Sequence, residues 1–273
     1  MTNQRAIEGR TVCITGASSG IGRAIAEHLG SLGAHVFLAG RTHEPMQESA
    51  ALIRAAGGRA DTAVFDVVDA DALRSWIDGA AEATGRLDVM VNNAGFGDMG
   101  SIIDGDPAVW KAMLDVNVLA LAVGSQAAVR AMRATGSEGN IVNISSTATL
   151  RRDSGVYGAT KYAVNCINST LRDELQDDPI RVTAIKPGVF ATNFTRNVPR
   201  EMVEGLAAAA GVIDLEFDDD GKLPQQQIDQ MQNAMTSIIG DVAHIASVVE
   251  YVVRQPIELN IEELVIRPQK SMF

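Results

Sequence analysis

Short apolar runs alternate with longer stretches of helical spacing along most of the chain. Residues 11–15, 34–39, 61–65, 87–91, 140–144, 181–185 and 264–266 read as strands, several of them apolar at consecutive positions. Between them, 23–32, 46–56, 70–83, 109–132 and 157–175 read as helices, and Ile245, Val248, Val249 and Val252 share one helical face. Strands that are apolar on both sides and separated by helices predict a parallel sheet covered on both faces, hence an α/β fold. Right-handed crossovers make that sheet doubly wound. One domain over 1–273 accommodates the pattern. Only 193–240 breaks the rhythm, with Pro199, an alanine run at 207–210, an acidic patch at 214–220 and a polar stretch at 225–232. That is long for a connection and short for a second core, so it reads as a substrate-covering lid or insertion.

Composition narrows the function classes. Nearly half of the 273 residues are apolar and few are aromatic, which suits close helix–sheet packing. A net charge of -11 argues against a nucleic-acid surface and an anionic membrane surface. No apolar run approaches the length of a membrane span, and the N-terminus lacks a signal-peptide core, so a cytoplasmic protein is expected. Cys13 and Cys166 lie in apolar runs far apart and are expected to be buried core thiols.

The candidate chemistry falls at the carboxyl ends of the predicted strands, where parallel sheets bind ligands. After the first strand comes Thr15-Gly16-Ala17-Ser18-Ser19-Gly20-Ile21-Gly22, whose glycines would let backbone N–H groups and a helix N-terminus approach a pyrophosphate. The second strand ends in Gly40-Arg41-Thr42 with no carboxylate before Glu44. A carboxylate there would bind the ribose 2′-OH of NAD, whereas Arg41 suits a 2′-phosphate, so NADP(H) is preferred. Asp66 closes the third strand and either accepts from an adenine amino group or caps the next helix. Asn92-Asn93-Ala94-Gly95 closes the fourth, and Ser145-Ser146 the fifth. Asn117 interrupts an apolar helical run, and a buried amide there needs partners. Pro187-Gly188-Val189-Phe190-Ala191-Thr192 follows the sixth strand. Tyr157 and Lys161 are four apart on one helix face, where the lysine cation favours the phenolate and lowers the tyrosine pKa.

Jointly, in this order, these motifs resemble the short-chain dehydrogenase/reductase family in its short single-domain branch, over roughly residues 8–195. The resemblance implies a Rossmann-type sheet of seven parallel strands, a nicotinamide cofactor, and hydride transfer between the cofactor and a ketone or aldehyde, or the corresponding alcohol. It implies Tyr157 as acid/base, Ser146 holding the carbonyl oxygen, Lys161 lowering the Tyr157 pKa and binding ribose hydroxyls, and Asn117 holding a water that links Lys161 to solvent. Gly16, Ser18, Ser19, Gly20, Ile21, Gly22, Arg41, Thr42, Asp66, Val67, Asn93, Ala94, Gly95, Pro187, Gly188, Val189 and Thr192 would complete the cofactor site. Val189 and Thr192 would grip the carboxamide, and Asp66 and Val67 would meet the adenine. Phe96, Arg151, Phe190 and Phe194 are the expected substrate contacts. Most are apolar, so a hydrophobic or mid-sized carbonyl compound is expected, while Arg151 and Arg152 leave an acidic one, such as a hydroxy acid, open. The terminal pattern at 259–268 also resembles family members that oxidise small 3-hydroxy acids or reduce aldehydes. Pairing of the long helices across a homodimer or homotetramer is implied as well.

Two departures from the family pattern stand out. Ser146 is eleven residues before Tyr157, a shorter gap than the family usually leaves; aligning from the strand end selects it over Ser145. The stretch 193–240 is long, and its Glu216, Asp218, Asp220 and Gly221 approximate a calcium loop. Gln227 stands where that loop needs Glu, so no metal is predicted. Two rivals keep the nucleotide site: a sensor or scaffold without turnover, and an epimerase or dehydratase. The full set of Asn117, Ser146, Tyr157 and Lys161 argues against the first, and the short C-terminal remainder against the second.

Overall fold

The β-branched and aliphatic runs form seven strands: β1 (Thr11–Thr15), β2 (His35–Gly40), β3 (Arg59–Val64), β4 (Val89–Asn92), β5 (Gly139–Ile144), β6 (Ile180–Pro187) and β7 (Glu263–Ile266). The computed structural model describes residues 4–190, 192, 204, 226–227 and 239–270. All pairings in the sheet are parallel, in the order β3-β2-β1-β4-β5-β6-β7. This is the doubly wound α/β arrangement that the apolar pattern predicts. Helices α1 (Gly20–Ser31), α2 (His43–Ala55), α3 (Ala70–Thr84), α4 (Pro107–Leu114), α5 (Leu121–Thr135), α6 (Gly155–Glu174) and α7 (Val242–Val253) cover its faces.

The pleat sends alternate strand residues to opposite sides. Val12, Ile14, Val89, Val91, Val142 and Ile185 pack with α1, α2 and α7. Cys13, Met90, Ile141 and Val182 pack with α3 and α5 on the other face. Burying one such Val, Ile or Met contributes about 1.5–3 kcal/mol, so the central strands anchor everything mounted on their ends.

Four expectations change. The helix expected at 109–132 is longer, because α4 and α5 are joined through a π-turn at Asp115–Ala120. Together Pro107–Thr135 is long and apolar enough to cross a membrane, contrary to the expectation that nothing reaches that length. Reading runs of letters broke the stretch at its polar residues, whereas the helix continues through them, with half of its most apolar window buried inside the protein. Cys13 is buried as expected, but Cys166 is exposed. It lies on the outer face of α6 with Tyr162 and Ser169, while Tyr157, Lys161, Val164 and Asn168 turn inward. Glycine-rich helix starts were also placed late: α1 begins at Gly20, inside the loop rather than after it.

Candidate active site

The strand order reverses between β1 and β4, and a cavity of about 680 Å³ opens along the carboxyl edge there. Its first wall is the turn from β1 into α1. Gly16 and Gly20 have φ of +66° and +55°, a conformation that favours glycine, and a Cβ on Gly16 would come within 2.9 Å of the Ala94 backbone. Asn93 braces this turn by donating its amide to Thr15 O (2.9 Å) and Gly16 O (3.2 Å). Thr15 Oγ1 in turn accepts from the Asn93 and Ala94 N–H groups at 3.1 Å. Ser19 stands at the N-cap of α1 in an extended conformation without capping through its side chain, and the first turn holds no acidic residue. The helix therefore presents N–H groups and the positive end of its dipole to the cavity, the chemistry that a phosphate requires. A dinucleotide's pyrophosphate fits that cradle.

The second region lies beyond β2 and β3. Thr42 is the N-cap of α2 and makes no side-chain capping bond. Arg41 is exposed, with its guanidinium 4.0 Å from the Asp66 carboxylate. Asp66 does not cap the following helix; Asp69 does so, accepting from Asp71 N and Ala72 N, while Asp66 accepts from Val68 N at 3.2 Å. Arg41, Thr42, Asp66 and Val67 all line the cavity, together with Phe65.

The third region gathers the proton-transfer candidates. Ser146, just past β5, accepts from Ala148 N (3.0 Å) and shares a hydrogen bond with the Tyr157 hydroxyl. Ser145 also lines the cavity, but its hydroxyl is engaged, donating to Asn165 Oδ1 at 2.8 Å. Tyr157 sits in the first turns of α6, packed with Met113 and Ala148. Lys161, one turn on, donates to Ile144 O at 2.8 Å, and its ammonium lies 5.9 Å from the centre of the Tyr157 ring.

Burial dominates the electrostatics. It pushes the Tyr157 phenol up to about 12, opposed by the hydrogen bond from Ser146, and it pulls Lys161 down to about 8. The expected net lowering of the Tyr157 pKa by Lys161 is therefore corrected. Desolvation of the phenol outweighs the other influences, because the side chain is enclosed almost completely.

Asn117 occupies the π-turn, a feature that often marks functional sites. It is fully buried and does not line the cavity. Its carbonyl oxygen accepts from Phe96 N (3.0 Å), and its amide donates to Phe96 O (2.8 Å) and Thr160 Oγ1 (3.0 Å). The side chain thus fastens the β4–α4 loop to α6, and all its hydrogen-bonding sites on the amide nitrogen are taken by protein, so a water would need another atom of this residue. Gly22 also lies off the cavity; a side chain there would strike Asn93 and Gly16 O, so its smallness serves loop packing. Every other expected cofactor residue lines the cavity: Gly16, Ser18, Ser19, Gly20 and Ile21 beside α1, Asn93, Ala94 and Gly95 after β4, and Pro187, Gly188, Val189 and Thr192 after β6.

The expected substrate contacts are mixed. Phe96 lines the cavity and is partly buried. Arg151 lines it with its guanidinium bonded to Asp153 at 2.8 and 2.6 Å. Phe190 reaches the cavity but belongs chiefly to the core, where its ring packs on Gly240. Phe194 and the acidic stretch 214–220 lie outside the described residues. Met99, Val116 and Leu150 line the cavity without having been singled out, and so does Lys270, while Arg267 beyond β7 lines it too. Their common signal, visible in retrospect, is position just after a strand or facing one across a loop.

Comparison with known proteins fits this geometry. The family model for short chain dehydrogenase matches residues 10–203. An uncharacterized oxidoreductase of Methylorubrum extorquens is 37% identical over 208 residues, 74% of this chain and 83% of its own. Sulfoacetaldehyde reductase 2 of Chromohalobacter salexigens is 38% identical over 187 residues, 67% of this chain and 74% of its own. Among solved structures, a short chain dehydrogenase from Burkholderia cenocepacia in complex with NADP aligns with a TM-score of 0.77 at 30% identity, over 97% of this chain and 98% of that one.

Proposed function

The chain belongs to the short-chain dehydrogenase/reductase family, and from that premise we propose that it is an NADP(H)-dependent enzyme interconverting a ketone or aldehyde with its alcohol. The observation that carries the reading is the meeting of Ser146, Tyr157 and Lys161 in the same cavity as the α1 phosphate cradle. The nicotinamide, when bound, supplies the hydride in reduction and accepts it in oxidation. The protein's own groups handle the oxygen and its proton.

Ser146 holds the carbonyl oxygen and Tyr157 donates its proton to that oxygen as negative charge develops there. Ala148 N–H occupies the Ser146 oxygen, which leaves the hydroxyl proton to be given to Tyr157 or to substrate. A phenol with its pKa pushed up to about 12 is protonated throughout the physiological range, the form in which Tyr157 can donate a proton during reduction. Lys161 keeps two N–H hydrogens beyond the bond to Ile144 O, and these would bind the ribose hydroxyls. Asn117 holds the Phe96 loop against α6 and so fixes the mouth of the site. Arg41 and Thr42 would receive a 2′-phosphate, and the NADP in the Burkholderia cenocepacia structure agrees with that preference. Asp66 and Val67 would meet the adenine.

One domain with 193–240 as a lid, a cytoplasmic location and a homodimer or homotetramer complete the reading. Leu114, Leu119 and Tyr162 expose apolar surface on the helix 107–135 and on α6, and a partner subunit would cover it. The test is consumption of NADPH, followed by absorbance, with a panel of aldehydes and ketones. Turnover of at least one is expected, falling as pH rises past about 8, where Lys161 loses its charge. Tight NADPH binding without turnover of any compound would instead identify a sensor or scaffold.

A further inference from the structure

The cavity is cationic in a chain that is strongly acidic. Among the described residues its charged lining consists of Arg41, Arg151, Lys161, Arg267 and Lys270 against one carboxylate, Asp66, while the whole protein carries -11. Three of these cations are accounted for. Arg41 lies beside Asp66, Arg151 is bonded to Asp153, and Lys161 donates to Ile144 O next to Tyr157. Arg267 and Lys270 have no ion pair among the described residues.

Their position is set by the sheet. Ile266 pairs with Pro187, and Gly188 N–H donates to Ile266 O at 2.8 Å, which brings the chain after β7 against the β6 turn. The Arg267 stem lies over Gly188, close enough that a Cβ there would be 3.4 Å from its Cγ. Pro268 follows, also lining the cavity, and restricts the backbone on the far side of Arg267. At about 4.8 Å per strand, the end of β7 is about 10 Å from the end of β5, which carries Ser146. It is about 19 Å from the end of β1, which carries the phosphate cradle. Arg267 therefore stands on the carbonyl side of the cavity, and Lys270, three residues on, also lines it. The same cavity is lined by the apolar Phe96, Met99 and Leu150.

We propose that Arg267 and Lys270 form an anion-binding rim that selects carbonyl substrates bearing a carboxylate or sulfonate at the end of a short apolar body. The inference rests on the reductase reading and adds the substrate class to it. A guanidinium with no ion pair among the described residues can bind such a group by charge-assisted hydrogen bonds. Its loss should then act on the anion and not on the carbonyl chemistry.

The experiment uses any neutral ketone or aldehyde that the wild-type protein reduces, with propanoate, propane-1-sulfonate and propanamide as inhibitors. We expect the two anions to compete with the carbonyl compound at least about tenfold more tightly than the amide, the size of one charge-assisted hydrogen bond. The double variant Arg267→Ala, Lys270→Ala should lose that difference while keeping its rate with the neutral compound and its affinity for NADPH. As a second arm, 4-oxopentanoate should be preferred over its methyl ester by the wild-type protein and not by the double variant. Anions that bind no better than the amide would overturn the proposal and leave the reductase reading intact. An unchanged anion advantage in the double variant would do the same. A drop in NADPH affinity in place of the lost anion advantage would assign the two cations to the cofactor's phosphates and overturn it. Absence of all turnover would instead overturn the reading beneath it.

Discussion

The two edges of the sheet carry comparable polar chemistry and use it oppositely. At the amino edge Asp88 is fully buried, accepting from Thr11 N at 2.8 Å and from Arg86 through both carboxylate oxygens. Arg10, nearby, donates to Val253 O at 2.7 Å, and Arg5 bonds Glu138 O and Asn140 Oδ1. At the carboxyl edge Ser19 and Thr42 make no side-chain capping bonds, and Arg267 and Lys270 have no ion pairs among the described residues. Both edges perturb a buried cation: desolvation pulls Arg10 down to about 10 and Lys161 down to about 8. A shifted pKa therefore does not distinguish a site from a brace. The difference lies in groups that face a cavity and remain available to bind.

Three substitutions, the first paired with Ser145→Ala as its control, probe that contrast, taken from the largest effect down. Ser146→Ala removes a hydroxyl that would hold the developing oxyanion, and should cost about 10²–10³ in kcat. Ser145→Ala, whose hydroxyl is bonded to Asn165, should cost far less; the reverse ranking in steady-state kinetics would move the role to Ser145. Asp88→Ala breaks the amino-edge network and leaves Thr11 N–H and Arg86 without their acceptor. It should lower unfolding free energy by about 3 kcal/mol in a denaturant titration, with kcat per folded molecule unchanged. A selective fall in kcat without loss of stability would show that the amino edge is not simply structural. Arg41→Ala should weaken NADPH binding about tenfold and NADH binding much less, as read by nucleotide fluorescence. Equal losses for both nucleotides would remove Arg41 from the 2′-phosphate site.

The same contrast explains what was legible in the letters. Strands apolar on both sides announced a covered parallel sheet, since burial acts on the whole segment and leaves a run that survives small boundary errors. The site was legible because parallel topology collects the ends of strands. Gly16, Asn93, Ser146 and Pro187 are scattered in sequence and become neighbours through register. The place of Arg267 beside the cavity was not legible, because it depends on β7 pairing with β6, a contact between distant parts of the chain. The bracing roles of Thr15 and Thr160 were not legible, because hydroxyls inside a strand and a helix look ordinary until their partners, Asn93 and Asn117, are in place. The direction of the Tyr157 shift escaped for another reason. Spacing reveals a nearby cation, whereas desolvation depends on the enclosure built by Met113, Ala148 and the loop held by Asn117.

The central claim is that the carboxyl-edge cavity performs proton transfer through Tyr157. Replacing Tyr157 with Phe removes one hydroxyl and keeps the ring that packs with Met113 and Ala148. With a carbonyl compound that the wild-type protein reduces, the decisive measurement is single-turnover NADPH oxidation by Tyr157→Phe, paired with NADPH affinity on the same preparation. The account predicts a rate lower by about 10²–10⁴ with affinity preserved. A wild-type rate at preserved affinity would contradict it.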